Sequence, residues 1–153
     1  MRRIERSAIV PFPAATMFDL VADVRSYPQF LPGCTGVRIH AESSEVVSAS
    51  MLLSRGPLQL ELRTRNTMER PDRIRMALEQ GPFSALDGGW IFVPIGAAGC
   101  RVGLQLEFAF SSRLADALLG PVFESLAGEL VNAFAKRAAA IAPPSPGAVG
   151  QEV

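Results

Sequence analysis

CRVGLQLEFAFSSRLADALLGPVFESLAGELVNAFAKRAAAI, residues 100–141, changes its hydrophobic period in the middle. Through residue 110 the period is two: Cys100, Val102, Leu104, Leu106, Phe108 and Phe110 alternate with Arg101, Gly103, Gln105, Glu107 and Ala109. Successive side chains of a strand point to opposite faces, so this spacing predicts a strand with one dry face and one wet face. From residue 112 the period is 3.6. Leu114, Leu118, Leu119, Val122, Phe123, Leu126, Leu130, Val131, Phe134, Ala138 and Ile141 fall on one broad stripe, which predicts an amphipathic helix over 112–141. Ser111 or Ser112 is placed to cap its start. Gly120–Pro121 interrupts the stripe. Proline removes an intrahelical donor and clashes with the preceding turn, which predicts a kink or break there, with a shorter leading piece and a longer following one. Pro143, Pro144 and Pro146 end the helix, so a domain over 1–141 is expected, with a disordered tail over 142–153.

Upstream, the period of two persists. In LQLELRTRNTM, residues 58–68, Leu58, Leu60, Leu62, Thr64, Asn66 and Met68 take one face, while Gln59, Glu61, Arg63, Arg65 and Thr67 take the other. Val47, Ala49, Met51 and Leu53 alternate in the same way, as do Ile74, Met76 and Leu78. The connections at 42–44, 55–57, 70–72 and 96–99 have hairpin lengths and turn-forming residues, so the strands form an antiparallel meander. Gly88–Gly89 is where a bulge would curve it. Before the meander, residues 3–10 read as a first strand. Residues 12–24 read as a helix with Pro13 in its first turn, and a short helix or turn is expected around 26–30. Pro32 and Gly33 stop it.

Composition bounds the chain. Its 153 residues, 48% hydrophobic and 20% charged, suit one globular domain with its own core. Lys+Arg and Asp+Glu are both 15, which weakens nonspecific attraction to nucleic acid or anionic lipid. Two cysteines, Cys34 and Cys100, suit neither a disulfide scaffold nor a zinc cluster and read as reduced thiols. No apolar run approaches the roughly 20 residues needed to span a bilayer. The stretch MRRIERSAIV lacks the apolar segment and cleavage site of a signal peptide, so a cytoplasmic protein is expected.

A strand, two short helices, a run of antiparallel strands and a long C-terminal helix predict an α+β helix-grip fold, in which a curved sheet wraps that helix. The space between is either a solid core or a cavity for an apolar ligand, and the Leu- and Met-rich inward positions suit both.

Three motifs then carry a resemblance. SYPQFLPGCTGVRI at 26–39, GPFSALDGGWIFVPI at 81–95 and residues 100–138 together resemble the START-like polyketide cyclase/coenzyme Q-binding family over roughly residues 2–140. The chain lacks an arginine-rich, acid-poor leader and looks like a bacterial member. The resemblance implies noncatalytic binding of a polyprenyl quinone or related lipid in the helix-grip cavity, in support of respiratory electron transport. It implies, as an alternative, a toxin-like binder of the large ribosomal subunit that blocks subunit association, and more remotely a cyclase-type enzyme. Ubiquinone or another lipid is the expected ligand. No other cofactor or metal is called for, and a transient membrane-surface contact is a further candidate partner.

The residues add detail to these expectations. Leu60, Leu62, Met76, Leu78, Trp90, Phe92, Leu104, Leu106, Phe123, Leu126 and Phe134 are expected to point into the cavity, with Met51 beside them and Phe30 and Leu31 as a stiff apolar lip. Pro28 and Pro32 restrict that lip, and the Tyr27 hydroxyl must find a partner. Gly88 and Gly89 would let a ligand approach the backbone. Arg63, Arg65, Arg73 and Arg75 share the outer face. They read either as a solvated surface balanced by Glu61 and Glu79 or as the candidate RNA contact. The single histidine, His40, lies on a polar strand face, and no HExxH, CxxC or phosphate-binding glycine loop is present, so no catalytic residue is assigned.

Overall fold

The computed structural model describes residues 1–141; the tail expected at 142–153 lies outside the described residues. The elements run β1 (Arg2–Val10), α1 (Ala14–Ala22), a 3-10 segment (Val24–Gln29), β2 (Cys34–Glu42), β3 (Val46–Arg55), β4 (Leu58–Glu69), β5 (Arg73–Gln80), β6 (Phe83–Ile95), β7 (Gly99–Phe110), α2 (Arg113–Gly128) and α3 (Leu130–Ile141). The strands form one antiparallel sheet in the order β1-β7-β6-β5-β4-β3-β2. β2 to β7 are a meander, and β1 closes onto β7 at the far edge. This is the expected α+β helix-grip architecture.

Alternation set the inner face as the sequence indicates. Leu62 lies opposite Met51, Trp90 opposite both Ile74 and Leu104, and Leu106 opposite Ile4. Two aromatic clusters fill the concave side. Phe83, Phe108, Phe110 and Phe123 pack at one end, while Tyr27, Phe30 and Trp90 gather around Phe134 with ring centroids 5.2–5.5 Å from it. Edge-to-face contacts of this kind stabilise beyond the area they bury.

Three expectations are corrected. Gly88 and Gly89 form no bulge, for they pair in unbroken register with Leu106 and Gln105. A Cβ on Gly88 would overlap the Gln105 carbonyl of β7, and one on Gly89 the Ile74 carbonyl of β5. The two glycines draw three backbones together, and neither borders the inner cavity described below. The register shifts fall instead at Cys34/Gly36, Ile39/Ala41, Arg63/Thr64 and Phe83/Ala85.

Second, Gly120–Pro121 does not divide the helix. Both lie inside α2, whose start is capped by Ser112 Oγ accepting from the Ala115 N–H at 3.0 Å, and the division comes at Glu129. Arg2 explains the difference. Its guanidinium lies against Gly120, where a Cβ would collide with it. From there it pairs with Asp116 (3.2 Å) and Glu124 (3.3 Å) and donates to the Asp116 carbonyl (3.1 Å). Proline leaves a carbonyl of this turn without its intrahelical donor, and the arginine supplies polar contacts to the same turn.

Third, the apolar stripe is not buried along its whole length. Leu114 and Leu118 are 70% and 62% exposed, Ile141 is exposed, and α2 has no buried residue before Gly120. This half of α2 is held to the edge strand β1 through Arg2, whereas Phe123, Leu126, Val131, Phe134 and Ala138 cover the concavity.

Candidate functional site

Between the sheet and the helices lies a cavity of about 80 Å³. Met51, Leu62, Met76, Trp90, Leu104 and Leu106 form its sheet wall; Phe123, Leu126 and Phe134 come from the helices, and Leu31 from the loop. These are ten of the residues expected from sequence. Phe30, Leu60, Leu78 and Phe92 do not line it. Phe30 packs edge-on to Phe134 under the Arg137 guanidinium, 5.0 Å from its ring centre. Phe92 is core beneath α1, edge-on to Phe18 at 5.5 Å. Leu60 and Leu78 are on the inner face but half-buried and outside the cavity.

The sequence reading missed several lining residues. Val24, Tyr27 and Pro32 come from the 3-10 segment and the loop after it, and Cys34 from the first position of β2, where no regular period yet marks an inward face. Thr64 and Asn66 lie on the inward face of β4 by simple alternation, yet a polar residue is not an obvious cavity wall. Both are buried, and the Thr64 hydroxyl donates to Asn66 Oδ1 at 2.9 Å. Tyr27 finds the partner its hydroxyl required, donating to the Val21 carbonyl, and burial holds the phenol well above its ordinary value, so it is neutral. Burial likewise raises the Cys34 and Cys100 thiols, which keeps both protonated at neutral pH.

The stiff loop reaches the helix as expected. Gly33 has φ 77°, and a Cβ there would lie 2.8 Å from a Leu126 methyl. Its carbonyl accepts from the Ser54 N–H at 2.8 Å, which ties the loop to the β3–β4 hairpin. Two polar clasps border this region. Arg55 of that hairpin forks onto Glu129 at the α2–α3 junction (2.5 and 3.0 Å), and Arg137 of α3 donates to Gln29 (2.8 Å). The Arg55 hydrogen bonds hold the Glu129 carboxyl below its ordinary value.

On the outer face, His40 Nε2 meets Ser50 Oγ at 2.7 Å, across the sheet from the Cys34 side of the cavity. Three of the four arginines of the candidate RNA contact are paired with carboxylates. Arg63 pairs with Glu79 at 3.0 Å, and Glu79 also accepts from Ser48. Arg73 and Arg75 share Glu69 at 3.6 and 2.8 Å. Arg65 has no ion pair among the described residues. The counter-charges are therefore Glu79 and Glu69, with Glu61 taking no part. A broad open depression of about 1080 Å³ spreads beside them, walled by Arg65, Arg73, Arg75 and Arg101 and by Glu5, Asp87 and Glu107. Its openness to solvent and mixed charge do not suit an apolar molecule; the smaller inner cavity does.

A curved seven-stranded antiparallel sheet closed over C-terminal helices, with an apolar cavity between them, is the START-like helix-grip fold. The chain belongs to the polyketide cyclase / dehydrase and lipid transport family, which it matches over residues 10–135. It is 42% identical to ribosome association toxin RatA of Vibrio cholerae, across 90% of this chain and 96% of that protein. It is 27% identical to coenzyme Q-binding protein COQ10 homolog B, mitochondrial, of Xenopus laevis, across 92% of this chain and 60% of that one. Among solved structures, a START superfamily protein from Mycobacterium smegmatis matches with TM-score 0.70 at 21% identity over 88% and 92% of the two chains. The Zhui aromatase/cyclase from Streptomyces matches with TM-score 0.78 at 19% identity over 90% and 93%. Identities this low speak for the fold alone. No described helix is long and apolar enough to cross a membrane.

Proposed function

We propose that this protein is a noncatalytic binder of an apolar ligand, a polyprenyl quinone or related lipid, held between the sheet and the helices in support of respiratory electron transport. The observation that carries this reading is the apolar cavity itself. Its volume of about 80 Å³ is below the ~300–1,000 Å³ of typical ligand sites, so uptake of a prenyl chain needs the roof to move. Met51 and Met76 in its wall have unbranched side chains that repack at low cost. The leading half of α2 contributes no buried side chain and none to the cavity lining, so an opening that begins there must carry Phe123 and Leu126 with it.

The noncatalytic part rests on placement. A nucleophile and its base must lie within hydrogen-bond reach. Cys34 borders the cavity with its thiol protonated, whereas His40 is engaged by Ser50 on the other face. A cyclase-type enzyme has the fold and the family in its favour but no nucleophile and base within reach of each other at Cys34 and His40.

The second reading is a binder of the large ribosomal subunit. The 42% identity to a ribosome association toxin, over nearly the whole of both chains, favours it. Arg65, with Arg63, Arg73 and Arg75 around it, is its candidate contact. Native mass spectrometry of protein purified without detergent should reveal a lipid adduct under the first reading. Bare protein, together with no saturable uptake of decylubiquinone, would remove it. Salt-dependent co-sedimentation with isolated large subunits tests the second.

A further inference from the structure

We infer that Asn66, anchored by Thr64, is the polar end of the cavity and binds a neutral oxygen acceptor, a ketone or quinone carbonyl, on an otherwise apolar ligand. The inference rests on the reading that the cavity takes an apolar ligand, and names the chemistry that ligand must carry.

The inward face of β4 reads Leu58, Leu60, Leu62, Thr64, Asn66, Met68. The polar step falls among apolar neighbours: Ala49 and Leu78 flank Thr64, and Val47 and Met76 flank Asn66. Both side chains line the cavity at 6% and 7% exposure. A primary amide offers two N–H donors and an acceptor oxygen. The Thr64 hydroxyl takes the oxygen at 2.9 Å. The Asn66 amide N–H groups have no partner among the described residues, nor does the indole N–H of Trp90, which lines the same cavity. Neither nitrogen is fully sealed, for the sole completely buried, unpaired side-chain nitrogen or oxygen among the described residues is Arg137 Nε. Trp90 borders the outer depression as well as the cavity, whereas Asn66 borders the cavity alone, so the Asn66 amide is the donor assigned to it. Turning the amide over would not complete it, because one hydroxyl meets one end of an amide. An unpaired donor in apolar surroundings carries its desolvation cost uncompensated, and a carbonyl oxygen placed against it removes that cost.

The rest of the lining decides the charge of the ligand. It contains no Asp, Glu, Lys, Arg or His. The Tyr27 hydroxyl is already committed to Val21. A carboxylate buried here would keep its charge without a counter-ion, which is far more costly than burying a neutral carbonyl. The site thus suits ketones and quinones over hydrocarbons, and disfavours fatty acids in their ionised form.

Decane, 2-decanone and decanoate have the same chain length and differ at the end. Each is titrated against N-phenyl-1-naphthylamine bound to the protein, and the displacement gives its affinity. The ketone should bind about tenfold tighter than the alkane, the size of one well-made neutral hydrogen bond, and decanoate should bind weakest at neutral pH. Asn66→Leu should abolish the preference for the ketone over the alkane. In the ¹⁵N–¹H spectrum, the Asn66 side-chain amide of the parent should shift with ketone and stay put with alkane. Equal ketone and alkane affinities with an unmoved Asn66 amide would overturn the inference and leave the cavity reading standing. If neither compound displaces the probe or moves any cavity resonance, the cavity reading fails and takes this inference with it. Should Asn66→Leu not fold, the parent's affinity ratio and amide shift decide alone.

Discussion

Leu62, Thr64 and Asn66 face inward from β4, Arg63 and Arg65 outward, and the two faces stand in opposite conditions. Outside, Arg63 has Glu79, and Arg73 and Arg75 have Glu69. Inside, apolar walls leave a space, and the one polar pair keeps amide donors unspent. Where an arginine is already paired, a further partner gains little because it must displace the carboxylate in place, and only Arg65 of the four is without an ion pair among the described residues. A buried donor left unpaired is completed by a partner. The comparison favours a ligand within over a polyanion without, even though the 42% identical relative is named for ribosome association. It also means that each face can be altered while the other is kept.

The largest effect should come from the inner face. Phe134 is 1% exposed and meets the rings of Tyr27, Phe30 and Trp90. Phe134→Ala should destabilise the protein by about 3–5 kcal/mol in urea unfolding. A loss under about 1 kcal/mol would mean that the site collapses freely and the roof is not a fixed wall.

Next is the clasp on α2. Arg2→Ala removes both part-buried ion pairs and should cost about 1 kcal/mol. Its clearer sign is faster amide exchange confined to the first half of α2, with quicker ligand uptake. Gly120→Ala should act in the same direction, because its methyl displaces the Arg2 guanidinium. Uniform exchange along the helix would show that α2 and α3 move as one.

Acid should act on the outer face and the junction and leave the cavity untouched, since its polar pair does not titrate. The Glu79 carboxyl is held below its ordinary 4.5, first by the Ser48 hydroxyl and then by Arg63, and Glu129 is held down by Arg55. A depressed carboxylate contributes stability that is fully present above 4.5 and is lost as pH falls through the lower folded value. Stability should therefore stay flat with respect to these two groups above about pH 5 and decline below it. Glu79→Gln with Glu129→Gln should flatten part of that decline, read as urea midpoints across a pH series.

How far the sequence reached follows the same division. Strand alternation is a strict period of two, so Met51, Leu62, Met76, Trp90, Leu104 and Leu106 were legible as one wall. Leu114 and Leu118 were not legible as exposed, because a 3.6 period reports a stripe and says nothing about whether the partner surface extends beneath it. Pro121 misled for a related reason: the turn it loosens is supported by Arg2, 119 positions away in a different element, and nothing local marks that contact. The outer arginines were legible as a face. Of their counter-charges Glu79 was legible and Glu69 was not, since its place depends on the register that sets Glu69 beside Arg73. Asn66 was visible on the inward face, but its significance lay in an unmatched amide that only side-chain geometry shows.

The smallest expected effect on the cavity is none. Arg63, Arg65, Arg73 and Arg75, all changed to Gln, should lower stability by about 1 kcal/mol or less and leave affinity for an apolar probe unchanged. Large-subunit binding, where present, should weaken and lose salt dependence. A changed probe affinity would show that the two faces are coupled.

Trp90 is the chain's single tryptophan and lines the cavity, so its fluorescence reports occupancy there. Decylubiquinone should quench it saturably in the parent and equally in the four-arginine variant. Ala49→Phe projects a ring into the cavity from a buried wall position, at an overpacking cost of about 1–3 kcal/mol, and should abolish the saturable quenching while the protein stays folded. Linear, unsaturable quenching in the parent, or saturable quenching that survives a folded Ala49→Phe, would contradict a ligand site between this sheet and its helices.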